Sequence, residues 1–185
     1  MDIYTGKHVR LAAVDPEEMS KRLTHWSRDS EYMRLLNGEA LRMNSSVANK
    51  KWLEKDLEEA SPDLFYFTVH SLADNVLIGD IAIEVSSWSA RNAFIGLGIG
   101  EPEARNKGYG TDLMSVILRF AFMELNLWRV TLNVFEYNPR AIRVYEKAGF
   151  RHEGRFRKFM HRDGRRWDML FMGILREEWM ELNKQ

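Results

Sequence analysis

The stretch "ARNKGYGTDL" (Ala104–Leu113) lies between an apolar run typical of a strand and a long helical pattern. Tight-turn chemistry alone would explain its glycines, and its basic residues could simply be solvated. The alternative is an anion site, because the first turn of a helix presents unpaired N–H groups and a partial positive charge. Gly108 and Gly110 would let phosphate oxygens approach the backbone, and Arg105 and Lys107 would add positive charge.

Two nucleotide-binding motifs can be compared with this stretch, and neither matches. A P-loop requires G-x-x-x-x-G-K-S/T, which is not found here. The dinucleotide fingerprint G-x-G-x-x-G also fails, because Gly96 and Gly98 are followed by Gly100 inside a predicted strand. ATP, GTP and NAD are therefore poor candidates for the ligand.

The composition narrows the class of protein. A length of 185 residues suits one domain, so we expect a single domain over residues 1–185. The 27 Lys and Arg residues balance 27 Asp and Glu residues, which argues against a nucleic-acid partner. The chain has no cysteine, which excludes disulfides, zinc–thiolate sites and cysteine nucleophiles.

The hydropathy pattern indicates whether the chain is expected to contain a membrane span or a signal peptide. No run of about 18 apolar residues occurs, so we expect no membrane span. The N-terminal stretch lacks a basic segment followed by a long apolar run, so we expect no signal peptide. These patterns predict a cytoplasmic protein.

The periodicity predicts an alternation of strands and helices. Ser46 is expected to cap a helix on which Trp52, Leu53 and Leu57 share an apolar face. The predicted strands are 7–13, 64–72, 76–88, 91–100, 128–135 and a hairpin within 150–175 that turns at Asp163-Gly164. The predicted helices are 16–26, a short one within 31–36, 47–60, 110–125 and 139–149, followed by a polar tail with a helical turn or two.

This order predicts an α/β (α+β) protein with a mixed sheet. A helical crossover joins the strands at 93–99 and 129–135, which implies that these two strands are parallel. Gly96, Gly98 and Gly100 occur at every second residue and leave one face of a strand bare. Such a face suggests close approach by a ligand or another backbone.

Two motifs resemble those of the GNAT acyl-CoA N-acyltransferases. "RNKGYG" (Arg105–Gly110) is similar to that family's Q/R-x-x-G-x-G/A signature, and "NPRAIRVYEKAGF" (Asn138–Phe150) is similar to its N-x-x-A-x-x-x-Y-x-x-x-G-F motif. The end of the chain resembles the branch of ribosomal-protein N-terminal and spermidine acetyltransferases. The resemblance covers nearly the whole chain and implies a mostly antiparallel sheet with splayed parallel central strands flanked by helices.

The resemblance implies acetyl-CoA as the cofactor and no metal. Coenzyme A would lie in the wedge between the strands at 93–99 and 129–135. Asn138 is also fully explained as a helix cap, so its contact with the cofactor depends on the resemblance. The implied cofactor-binding residues are Leu97, Gly98, Ile99, Arg105, Asn106, Lys107, Gly108, Tyr109, Gly110, Thr111, Asn138, Ala141 and Tyr145.

The resemblance also implies chemistry. Tyr145 would protonate the leaving thiolate, since a phenol of pKa about 10 suits a thiol of pKa about 8.5 to 10; a packed core tyrosine is the alternative. Where some family members carry a basic glutamate, this chain has Asn133, which cannot take a proton. Glu84, Asp80 and His70 remain candidate bases, and a water chain would need no dedicated base.

The acceptor is expected opposite the cofactor, near residues 27–44. Glu31 and Glu39 could attract a cationic amine, with Tyr32 and Trp88 as an aromatic wall, although exposed acids are usually just solvated. The implied function is N-acetylation of a primary amine: a protein N-terminus, a polyamine or a small amine. The alternative is a non-catalytic module that binds acyl-CoA or a partner. The resemblance also implies a homodimer, since family members often pair.

Overall fold

In the computed structural model, which describes residues 2–184, a seven-stranded sheet with the order β1-β2-β3-β4-β5-β7-β6 organises the chain. The predicted mixed sheet is confirmed, and β4 and β5 are its parallel pair. The strands are β1 (Val9–Ala12), β2 (Leu64–Ser71), β3 (Leu77–Ser87), β4 (Asn92–Ile99), β5 (Arg129–Phe135), β6 (Arg151–Arg162) and β7 (Arg165–Leu175).

Helices connect these strands and cover both faces of the sheet. They are α1 (Pro16–Trp26), α2 (Ser30–Leu36), α3 (Ser46–Glu58), α4 (Tyr109–Arg119), α5 (Pro139–Lys147) and α6 (Arg176–Leu182). None of the helices within residues 2–184 is long and apolar enough to cross a bilayer.

Side-chain caps explain where several helices begin. Asp15 and Asn138 accept the N–H groups of Glu17 and Ala141, as their positions before Pro16 and Pro139 predict. The expected cap at Ser46 is wrong, because the Ser45 hydroxyl accepts the N–H of Ala48 and Ser46 is the first helical residue.

The predicted apolar face of α3 is only partly correct. Leu53 is fully buried, and Asn49, one turn earlier, donates its amide to Thr24 of α1. Because this side of α3 packs on α1, Trp52 turns outward and is 53% exposed, and Leu57 is also exposed.

The long helix predicted to end near residue 125 changes its geometry. It is α-helical to Arg119 and then forms a π turn over Phe120–Glu124. The wider turn brings the consecutive residues Phe120, Ala121 and Phe122 into the core. At the C-terminus, the polar tail forms α6, which packs Trp179 against Phe122.

Strand alternation assigns the two faces of the sheet. Ile95 belongs to the core formed with α4, whereas positions 98 and 100 meet Tyr32 and Trp26 from α2 and α1. The parallel register of β4 and β5 ends at the pair Phe94–Thr131. Beyond this pair the two strands diverge, which leaves a wedge with unpaired backbone groups along both inner edges.

Candidate functional site

The wedge between β4 and β5 opens into a cavity of about 820 Å³. Besides the strands, its walls come from α2, the loop before α4 and α5. The structure brings most of the sequence-predicted binding residues to this lining: Tyr32, Leu97, Gly98, Ile99, Arg105, Asn106, Gly108, Tyr109, Gly110, Thr111, Asn138, Ala141 and Tyr145. Lys107 points into solvent and is not part of the lining.

The loop before α4 has an unusual backbone. Asn106 and Gly108 adopt positive φ angles of 61° and 84°, and Gly108 occupies the N-cap position. No atom lies within 4 Å of an ideal Cβ at Gly108, so its conformation rather than crowding requires glycine. The N–H groups of Tyr109, Gly110 and Thr111 have no acceptor within the helix, as in any first helical turn. This end of the cavity is therefore suited to an anion.

Arg105 does not supply the mobile charge that the motif suggested. Its guanidinium pairs with Asp29 at 2.7 Å and donates to the Gly100 carbonyl at 3.0 Å. It also lies over the Tyr32 ring, 5.4 Å from the centroid. These contacts tie the loop to the start of α2 and neutralise the Arg105 charge.

Three further cations that line the cavity come from α5, and the sequence analysis missed them. Arg140, Arg143 and Lys147 all line the cavity. Arg140 pairs with Glu31 at 2.5 Å, whereas Arg143 and Lys147 have no acidic partner among residues 2–184. Their spacing of three and four residues on one helix was a signal in the sequence that could have revealed them.

Tyr145 projects from α5 into the wedge and is only 7% exposed. Its ring lies against Phe150, with 6.1 Å between the centroids. Burial raises the pKa of Tyr145 to about 12, so the phenol keeps its proton throughout the ordinary pH range. Its hydroxyl makes no hydrogen bond to any described residue, which leaves it available to a ligand.

Asp80 is the carboxylate that the structure brings to the cavity. It lies opposite Gly98 in the β3–β4 register, at the open end of the wedge, and accepts the Tyr66 hydroxyl at 3.2 Å. Burial raises the pKa of Asp80 to about 6. This carboxyl group can therefore exchange a proton near neutral pH.

The other two candidate bases lie elsewhere. Glu84 shares the face of Asp80, but it pairs with Phe94 at the closed end of the wedge and is exposed outside the cavity. His70 is buried on β2, where its ring contacts the Thr68 hydroxyl and the Asn75 carbonyl. Asn133 does line the cavity, yet its amide cannot take a proton.

The predicted acceptor residues are largely dispersed. Tyr32 lines the cavity, and its buried hydroxyl has no partner among the described residues. Glu31 is held by Arg140. Glu39 is exposed outside the lining, and Trp88 is 48% exposed near the far end of β3, where its indole donates to Asp63.

The bare glycine face is occupied mainly by side chains of this protein. An ideal Cβ at Gly98 would lie 2.3 Å from the Tyr32 hydroxyl, and one at Gly100 would lie 2.2 Å from the Trp26 ring. These two glycines admit neighbouring aromatic side chains. Gly96 has no atom within 4 Å of an ideal Cβ, so it faces the open cavity.

Comparison with known proteins identifies the family. The model of the acetyltransferase (GNAT) domain matches residues 8–151. The SPbeta prophage-derived uncharacterized N-acetyltransferase YokL of Bacillus subtilis is 34% identical over 183 residues, which cover 97% of this chain and 96% of that protein. Spermidine N(1)-acetyltransferase of Vibrio cholerae is 32% identical over 114 residues, which cover 62% and 65% of the two chains.

A solved structure supports the fold. The spermidine N-acetyltransferase of Vibrio cholerae in complex with CoA and spermine superposes with a TM-score of 0.79, at 24% identity, over 93% of this chain and 98% of that chain. Since the family model spans well over half of the residues and the Bacillus relative aligns almost end to end, the chain belongs to the GNAT family of acetyltransferases and is an enzyme of the N-acyltransferase class.

Proposed function

We propose that this protein transfers an acetyl group from acetyl-CoA to a primary amine within a ternary complex. The observation that carries the proposal is that Tyr145 and Asp80 both line the cavity that opens from the wedge between β4 and β5. A proton donor and a proton acceptor of different pKa thus face a common space.

The donor would bind along the wedge. Its pyrophosphate fits the unpaired N–H groups of the first turn of α4, after the left-handed Gly108. Arg143 and Lys147 would contact further phosphate oxygens, since neither has an acidic partner among the described residues. The pantetheine amides would pair with the free edge of β4 near Leu97 and Ile99, beyond the last β4–β5 pair.

The reaction would then need two proton transfers. Asp80, directly or through a water molecule, takes a proton from the attacking amine, and the amine nitrogen bonds to the thioester carbonyl carbon. A backbone N–H on the β4 edge stabilises the resulting oxyanion. The carbon–sulfur bond breaks, and Tyr145 gives its proton to the departing thiolate.

Release of free thiol from acetyl-CoA in the presence of an amine panel tests this function. We expect thiol release that depends on both the enzyme and the amine. If CoA raises the thermal midpoint but no amine yields thiol, the protein is a binding module and the proposed reaction is wrong.

We also propose a homodimer. Its support is the pair of exposed aromatic side chains Phe156 and Phe159 on β6, one of the two edge strands of the sheet. Sedimentation equilibrium should give twice the monomer mass; a monomer at micromolar concentration would contradict it.

A further inference from the structure

The acceptor side of the cavity is the side that faces α2. Strand alternation places Phe94, Gly96 and Gly98 on that face, and Gly98 meets Tyr32 and Leu36 of α2. Phe135 at the end of β5 reaches the same region, since its ring lies 3.6 Å from an ideal Cβ at Gly38, just after α2. The two diverging strands and α2 therefore enclose this side together.

Most of the side chains that line this side are apolar, and Asn37 and Asn133 are the polar exceptions beside Tyr32 and Asp80. Phe94, Phe135, Leu35, Leu36 and Met169 all line the cavity. Leu36 is 41% exposed although it is a large aliphatic side chain, so an apolar surface remains uncovered at the entrance. An apolar group on a ligand would gain free energy by covering it.

The charge around the cavity is unsuited to a polycation. Asp80 is the single acidic residue in the lining, as judged from residues 2–184. The nearest other carboxylates are already neutralised, because Asp29 pairs with Arg105 and Glu31 pairs with Arg140. A ligand with several ammonium groups would find one carboxylate for all of them.

We infer that the acceptor is a primary amine with a single positive charge attached to an apolar group, and that polyamines are poor substrates. The inference rests on the proposed acetyl transfer and goes beyond it by specifying the acceptor. Asp80 pairs with the one ammonium group, and the apolar substituent packs between Phe94, Leu36 and Phe135. Selectivity arises because extra ammonium groups would lose water without gaining partners.

The experiment compares three amines with the full-length enzyme and acetyl-CoA. Leucinamide has one charge and an apolar group, glycinamide has one charge and no apolar group, and spermidine is a polyamine. We expect kcat/KM for leucinamide to exceed those for glycinamide and spermidine by about tenfold or more. Equal or better use of spermidine would overturn the inference while leaving the proposed acetyl transfer intact.

A charge variant tests the electrostatic part. Gly96→Asp adds a carboxylate where the cavity has room, and Gly96→Asn adds a side chain of the same size without charge. We expect Gly96→Asp, but not Gly96→Asn, to raise the spermidine-to-leucinamide ratio of kcat/KM several-fold. Equal ratios in the two variants would overturn the electrostatic argument. Failure of all three amines with CoA still bound would instead count against the proposed function.

Discussion

Tyr145 and Asp80 are the residues at which burial most directly affects the proposed chemistry. Burial raises the pKa of both side chains, but the consequence for proton transfer differs between them. It keeps the Tyr145 phenol protonated, with a pKa of about 12, and it brings the Asp80 carboxyl to a pKa of about 6. One group is thereby kept as a donor and the other becomes a base near neutral pH.

Tyr145→Phe should lower the activity without lowering the thermal stability. We expect kcat to fall by about 10² to 10⁴, the usual contribution of a general acid. Thermal stability should stay nearly unchanged, because the hydroxyl has no hydrogen-bond partner among the described residues. Steady-state thiol release and thermal unfolding measure the two quantities.

Tyr4→Phe is the control outside the cavity, because Tyr4 is 42% exposed and its ring packs against Phe67 and Phe120. If Tyr145→Phe keeps the wild-type activity, Tyr145 is not the general acid and serves only as a core residue.

The pH dependence should identify the base. Because Asp80 must be ionised to accept a proton, kcat/KM should rise with pH through about 6 and then level off. Asp80→Asn should lose most of the activity and this acidic limb. Measured pH profiles of the wild type, Asp80→Asn and Glu84→Gln distinguish the two carboxylates. Loss of the limb in Glu84→Gln alone would assign the role to Glu84 instead.

The ionisation of Asp80 should also make the free energy of unfolding depend on pH. Its pKa is raised from 3.8 to about 6 on folding, so the folded state binds the proton more tightly than the unfolded state. The stabilisation from this group is complete below pH 3.8 and is lost as the pH rises through 6. Asp80→Asn should therefore be the more stable protein above pH 6, which denaturant titrations at pH 5 and 8 can check.

At the scale of elements, the N-terminus of α4 is predicted to hold the cofactor's pyrophosphate. Gly108→Glu places a side chain at a φ of 84° and adds negative charge there. We expect a loss of about 1–2 kcal/mol in unfolding free energy, from the strained backbone, together with loss of the thermal protection by CoA.

Gly164→Glu provides the matched control for the strain. Gly164 has a φ of 69°, no atom within 4 Å of an ideal Cβ, and a position in the β6–β7 turn. Its variant should lose similar stability but keep the protection by CoA. If Gly108→Glu is also protected, the pyrophosphate lies elsewhere.

Helix α4 also anchors the beginning of the chain through Asp112. Its carboxylate accepts the N–H groups of Lys7, His8 and Val9 at 3.0, 2.7 and 3.0 Å. Asp112→Ala leaves these donors without their acceptor, so we expect a loss of about 2–4 kcal/mol. Denaturant unfolding measures the loss. Asp74→Ala, which affects one exposed turn contact, should lose less than about 1 kcal/mol; equal losses would contradict the anchoring role.

At the scale of the whole molecule, the net charge is balanced, but positive charge is concentrated at the cavity. The formal charge is zero, yet Arg143 and Lys147 face the cavity without acidic partners among the described residues. The association rate of CoA should therefore fall about threefold or more between low and physiological salt, because ions screen this field. Stopped-flow binding measures the rate.

Replacing both of these cations by alanine should flatten the salt dependence. The same double change at Arg165 and Arg166, on the β6–β7 hairpin, should leave it as in the wild type. A salt dependence that persists without Arg143 and Lys147 would place the attracting charge elsewhere.

The element order and the start of α4 followed from local signals in the sequence. Caps at Asp15 and Asn138, the alternation of β3 and β4, and the glycines before α4 all act between near neighbours, so they could be predicted. Two predictions failed at helix ends: the cap of α3 is Ser45 rather than Ser46, and a π turn follows Arg119. The alternative turn geometries there differ little in local energy, so packing on α1 and in the core determines which one forms.

By itself, the sequence determined the family motifs, the order of strands and helices, and Tyr145 as the candidate acid. Only the tertiary structure decided that Asp80 rather than Glu84 reaches the cavity, since both share one face and differ in their distance from the point where β4 and β5 part. The ion pair between Arg105 and Asp29 likewise became evident only in the tertiary structure. Such pairings depend on contacts between distant segments, and no local pattern encodes them.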